Sequence, residues 1–128
     1  ARLKPLDDGS TPADLAPDVV RSLLSSDAPP DAVTNCVASM SRISADAYRA
    51  ALRCLVTWDF TDHLHEISVP TLCLAGADDV TAPVAALRAL AEGLPDAQFA
   101  VIDNCNHLMN LDRPVEFNRL TRQFLNAH

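Results

Sequence analysis

Val69 to Asn110 reads VPTLCLAGADDVTAPVAALRALAEGLPDAQFAVIDNCNHLMN, and this stretch decides the fold. Val69 to Ala75 is a nearly continuous apolar run ended by Gly76. It is too short for a helix and reads as a buried strand. Thr81, Ala82 and Pro83 read as a helix start, because proline in the first turn gives up an N–H that has no helical acceptor anyway. Leu87, Leu90, Ala91 and Leu94 recur at helical spacing and define one apolar face. Gly93 stands where a left-handed helix cap is expected, and Pro95 prevents continuation. Gln98 to Ile102 is the second strand. A strand, a helix and a strand, with a tight polar turn after each strand, is the pattern of a parallel βαβ unit.

Both chemistry-bearing side chains fall just past a strand's carboxyl end, where open parallel sheets build their sites. Asp79 follows the first strand and His107 the second, 28 residues apart (107 minus 79). That is about the length of one βαβ repeat, so adjacent strands bring the two side chains together. An aspartate accepting the imidazole Nδ1–H fixes the tautomer and leaves Nε2 to take a proton from a nucleophile. Asp78 reads as a turn carboxylate ahead of the helix. Cys105, in the same turn as His107, is badly placed to be activated by that imidazole.

With these residues in view, VPTLCLAGADDVTAP and GLPDAQFAVIDNCNHLMNLDRPVEFNRLTRQFL resemble the C-terminal part of an α/β-hydrolase, most nearly the 3-oxoadipate enol-lactonase-like hydrolases. That family carries a glycine, two variable residues and the triad acid after its seventh strand, which maps onto Gly76, Ala77, Asp78 and Asp79. The resemblance therefore implies that Asp79, not Asp78, is the acid. It also implies that His107 is the triad histidine, followed by Leu108 and a short turn holding Asn110. Asn106 stands where the family usually has glycine or alanine, and asparagine tolerates a left-handed backbone better than most residues. The nucleophile motif G-x-S-x-G is not found: the only glycines are Gly9, Gly76 and Gly93, and none flanks a serine in that pattern.

The implied fold class is α/β: the last two strands of an α/β-hydrolase parallel sheet with their helices, preceded by a helical cap. Residues 1–57 are expected to form the cap and residues 58–128 the C-terminal part of the core. The expected partner is the N-terminal half carrying nucleophile and oxyanion hole, in the same or a separate chain. Without it, this chain is expected to be neither active nor stably folded. The implied reaction is hydrolysis of a small ester or lactone without metal or organic cofactor. A carbon–carbon or haloalkane hydrolase of the same fold is the alternative, as is a non-catalytic remnant serving as an interaction module.

Composition narrows the partners. The 128 residues carry a net charge of −7 and are 48% hydrophobic. An acidic chain with a pI near 4.8 lacks the basic patches that nucleic acids or anionic membranes require. No apolar run reaches transmembrane length and the opening Ala-Arg-Leu-Lys-Pro has no signal core. Cys36, Cys54, Cys73 and Cys105 form no C-x-x-C pair and read as buried, reduced thiols, which favours the cytoplasm.

Outside the central stretch, residues 1–17 read as an irregular lead-in. PDVVRSLLSS puts Val19, Val20, Leu23 and Leu24 on one helical face, closed by Pro29-Pro30. Asp31 caps a second helix, with Val33, Cys36, Val37 and Met40 as its stripe. Ser44 caps a third, with Ala47, Tyr48, Ala51, Leu52, Leu55 and Val56 inward and Arg42, Arg49 and Arg53 on or near the more polar side. Trp58 is a candidate substrate contact, as is Leu108. His63 and His65, two apart, point to different faces and cannot copy the i, i+4 pair of a zinc helix. Asp112 and Pro114 start a final helix carrying Phe117, Leu120, Thr121, Phe124 and Leu125.

Overall fold

The computed structural model describes residues 3–128, which divide into two compact units. Of the described residues, the first comprises 3–22 and 30–59, the second 23–29 and 60–128. Ala1 and Arg2 of the expected irregular lead-in lie outside the described residues.

The first unit is helical. It contains α1 (Leu3–Asp7), nearly all of α2 (Pro12–Leu23), α3 (Pro30–Ser41) and α4 (Ala45–Thr57). The lead-in is therefore not irregular, and α2 starts well before the expected position. Its start follows from Thr11 and Asp14. The Thr11 N–H donates to Asp14 Oδ2 at 2.8 Å, while Thr11 Oγ1 accepts from the Asp14 N–H at 3.3 Å. This reciprocal capping box, with Pro12 in the first helical position, satisfies N–H groups that the first turn leaves open. Asp31 lies inside the first turn of α3 rather than capping it. Ser44 does cap α4, accepting the Ala47 N–H at 3.2 Å. The expected inward stripe of α4 is corrected: Ala47 and Ala51 are exposed, Leu55 and Val56 are 75% and 73% exposed, and only Tyr48 and Leu52 of that stripe are half-buried. Arg49 is half-buried and donates to Asp7, Asp46 and the Leu6 carbonyl, so it ties α4 to the end of α1.

The second unit holds the sheet. β1 (Thr71–Gly76) pairs in parallel with β2 (Ala97–Ile102), in a register running from Thr71↔Ala97 to Gly76↔Ile102. The connection is α5 (Val84–Gly93), which packs on both strands. A single turn, α6 (Met109–Asp112), and α7 (Pro114–Ala127) follow. Thr81 and Ala82 precede α5 rather than opening it, and Pro83 takes the cap position. Asp112 ends α6 and does not start α7. Leu125, expected on the inner face of α7, is exposed.

Two glycines have different physical reasons. A Cβ on Gly76 would sit on the carbonyl oxygens of Asn106 and of Cys105, the latter at 2.5 Å. These are backbone atoms that cannot swing away. Gly93 is not a left-handed cap: it is the last residue of α5, and Leu94 beyond it is extended. A Cβ there would meet Leu64 Cδ1 at 2.8 Å, the far end of a flexible side chain. Gly76→Ala should therefore destabilise by about 1–3 kcal/mol or more through overpacking. Gly93→Ala should stay within about 1 kcal/mol of the parent, because a gain in helix propensity offsets the Leu64 adjustment. Urea titration of both variants checks this, and equal losses would contradict it.

Candidate active site

Asp79 and His107 meet at the carboxyl end of the two strands. After β1 the chain turns back on itself, with the Asp79 N–H donating to Gly76 O at 3.2 Å. The Ala77 N–H donates to Ile102 O and the Asp78 N–H to Cys105 O, each at 2.9 Å, which fastens this turn to the one after β2. The Asp79 carboxylate is buried. Its Oδ1 accepts the N–H groups of Thr81 at 2.7 Å and Ala82 at 3.0 Å. Its Oδ2 lies 2.8 Å from Nδ1 of His107.

Burial opposes ionisation of Asp79. The N–H of Ala82, the imidazole of His107 and the N–H of Thr81 outweigh it and hold the carboxyl below its ordinary value. The two oxygens thus have separate tasks, one holding the backbone turn and the other the imidazole. His107 Nε2 has no hydrogen-bond partner among the described residues, and the side chain is 35% exposed. Asp78 is exposed and takes part through its backbone alone.

Sequence reasoning missed the residues that hold the histidine turn. Asp112 is 3% exposed and accepts from three donors. The Ser25 N–H reaches its oxygens at 2.9 and 3.1 Å, Ser25 Oγ at 2.8 Å and the Asn106 N–H at 2.8 Å. Asn106 Oδ1 accepts the His107 N–H at 2.9 Å, and the Leu108 N–H donates to Leu23 O at 3.1 Å. Asn104, not Asn106, adopts the left-handed backbone, with φ 50°. The asparagine before the histidine thus serves through its side chain. Beside this turn, Arg113 donates twice to Asp27, at 2.9 and 3.1 Å. Leu108 is half-buried in the turn, whereas Trp58 closes α4 in the first unit and is 68% exposed.

All four cysteines are unpaired, but not all are buried: Cys54 is exposed and Cys36 half-buried. Cys105 is fully buried. Its burial and the nearby carboxylates, Asp112 foremost, push its thiol up to about 11. It is protonated at neutral pH and is no nucleophile. His63 Nδ1 lies 2.7 Å from Glu66, while His65 is exposed. No group of three or more metal-ligating side chains is found among the described residues. Nor is any described helix long and apolar enough to cross a membrane.

Two measurements follow. A depressed carboxyl stabilises the fold above its unfolded value of about 3.9, and loses that contribution as pH falls through the folded value. The stability gap between the parent protein and Asp79→Asn should therefore close on acidification below about pH 5 in urea titrations. A gap that widens would contradict the assignment. Iodoacetamide at neutral pH should alkylate Cys54 readily and spare Cys105, as peptide mass mapping reads directly; rapid labelling of Cys105 would contradict its burial.

No family model matches the sequence. Over 78 residues the chain is 41% identical to a Rhizobium rhizogenes (strain K84) protein named as the carbamate hydrolase RutD, a match covering 61% of this chain and 29% of that one. It is 37% identical over 71 residues to a proline iminopeptidase of Lacticaseibacillus rhamnosus, covering 56% of this chain and 24% of the relative. Among solved structures, a thermophilic esterase from Thermogutta terrifontis superposes with TM-score 0.82 at 25% identity, over 98% of this chain and 48% of the esterase. The enol-lactonase from Burkholderia xenovorans LB400 gives TM-score 0.89 at 20% identity, over 98% and 48%. The chain thus spans under a third of these sequence relatives and about half of these solved structures. Together with the parallel βαβ unit, these matches place the chain in the α/β-hydrolase fold family, where it corresponds to the C-terminal half.

Proposed function

We propose that this chain supplies the acid and the histidine of a serine-type hydrolase acting on a small ester or lactone. The observation that carries the reading is the 2.8 Å contact between Asp79 Oδ2 and His107 Nδ1, with Nε2 left unengaged. In this mechanism Nε2 removes the proton of a serine hydroxyl as its oxygen attacks the acyl carbon. Asp79, held ionised by its backbone donors, stabilises the imidazolium that forms. The same proton then passes to the leaving alcohol, and a water molecule repeats the sequence to release the acid.

The serine and the oxyanion donors belong, in this reading, to an N-terminal half in the same or a separate chain. One edge of β1 supports this. Among the described residues β1 pairs with β2 alone. Residues 71–74 of β1 line an apolar groove together with Leu87, Phe117 and Phe124, and no residue of β2 contributes to it. An unpaired apolar edge of this kind calls for a further strand. Residues 1–57 take the role of the cap that shapes the substrate pocket, with Trp58 and Leu108 as substrate contacts. Neither metal nor organic cofactor enters the mechanism. Four unpaired thiols support a reducing compartment, the cytoplasm.

In the complete hydrolase, His107→Ala should lower kcat by roughly 10³-fold or more with KM little changed. Asp79→Asn should be comparably severe, because an amide favours the wrong imidazole tautomer, and Asp78→Asn should be mild. Steady-state kinetics on a nitrophenyl ester test the ranking, and a greater loss in Asp78→Asn would move the acid to that position. The 128-residue chain alone should hydrolyse nitrophenyl acetate no faster than its His107→Ala variant. A rate abolished by that substitution would show that no further half is needed.

A further inference from the structure

We propose that Asp112 is a positioning residue for His107, acting with Ser25 as a strap across the catalytic turn; this rests on the hydrolase reading above. Among the described residues, the buried charged side chains are Asp79 and Asp112. The first is explained by the histidine. The second touches no part of the acid–histidine pair, and a buried carboxylate is costly unless donors surround it. Those donors come from two places far apart in sequence. Ser25 supplies its N–H and hydroxyl across 87 residues, and Asn106 supplies the N–H immediately before His107.

The turn is then fixed at three consecutive backbone N–H groups. That of Asn106 goes to Asp112, that of His107 to the Asn106 side chain, and that of Leu108 to the Leu23 carbonyl. The Asn106 amide also donates to Leu24 O at 3.4 Å. Residues 23–25 thus form one wall of the histidine turn. This explains why residues 23–29 belong to the unit that carries the site although the helices flanking them belong mainly to the other. The imidazole cannot drift from Asp79 while its own backbone is held on both sides. A displacement of about 1 Å in a catalytic group can cost roughly 100-fold in rate, and preventing it is the task assigned to Asp112.

The test compares Asp112→Asn, Ser25→Ala and Asp27→Asn in the complete hydrolase. Asp112→Asn replaces one acceptor oxygen with an N–H group that faces other donors. It should lower kcat by roughly 10- to 100-fold with KM within about twofold, and should weaken or remove the downfield proton resonance of His107 Nδ1–H. Ser25→Ala removes one hydroxyl, should fold even if Asp112→Asn does not, and should give a smaller loss of the same kind. Asp27→Asn breaks the neighbouring Arg113 pair without touching the strap, and should leave both kcat and the resonance as in the parent. Folded Asp112→Asn protein with parental kcat and resonance would overturn the proposal, as would a parental Ser25→Ala where Asp112→Asn does not fold. A His107→Ala variant with parental kcat would instead overturn the hydrolase reading and the strap with it.

Discussion

The carbonyl oxygens of Cys105 and Asn106 lie where a side chain on Gly76 would begin. The site depends on that close approach. Because residue 76 has no Cβ, the turn after β2 can settle directly on the last residue of β1. The hydrogen bonds from Ala77 and Asp78 to Ile102 and Cys105 then lock the two turns together. With parallel strands in register up to Gly76↔Ile102, the residues just beyond them have little freedom. Asp79 is three residues past Gly76 and His107 five past Ile102, and their side chains converge to 2.8 Å.

Two buried carboxylates sit near that junction, and each accepts hydrogen bonds from several donors, none of them a lysine or arginine side chain. Asp79 faces two backbone N–H groups and an imidazole. Asp112 faces two backbone N–H groups and a hydroxyl. A hydrogen bond to a charged group contributes about 1.5–3 kcal/mol, and losing a donor leaves a desolvated charge behind. Such a region resists partial change. In the proposed mechanism this would keep one imidazole nitrogen in the same place through each turnover, and it sets the second unit apart from α4, whose last turn leaves Leu55 and Val56 open to solvent.

The βαβ unit and the meeting of Asp79 with His107 could be read from the sequence because each is written locally. Short apolar runs ended by turns mark strands, and a side chain just past a strand's end has few places to go. The strap could not be read this way. Asp112 stands two residues before Pro114, where aspartate ordinarily announces a helix start. Nothing near it points to Ser25, whose partnership exists only once the chain has folded. The role of Gly93 is not legible in the sequence because a glycine near a helix end has two physical uses, a left-handed backbone or room for a neighbour, and only the folded position of Leu64 distinguishes them. The start of α2 is written in Thr11, Pro12 and Asp14, which spell a capping box, yet the stretch reads as irregular because Pro, Asp and Ser surround it.

The central claim is that His107, oriented by Asp79, activates a serine lying outside these 128 residues. Labelling the complete hydrolase with a fluorophosphonate and mapping the adduct by peptide mass spectrometry tests it most directly. The expected result is one adduct, on a serine beyond residues 1–128, formed far more slowly when His107 is replaced by alanine. An adduct on any residue of this chain, no adduct at all, or a labelling rate indifferent to His107 would contradict it.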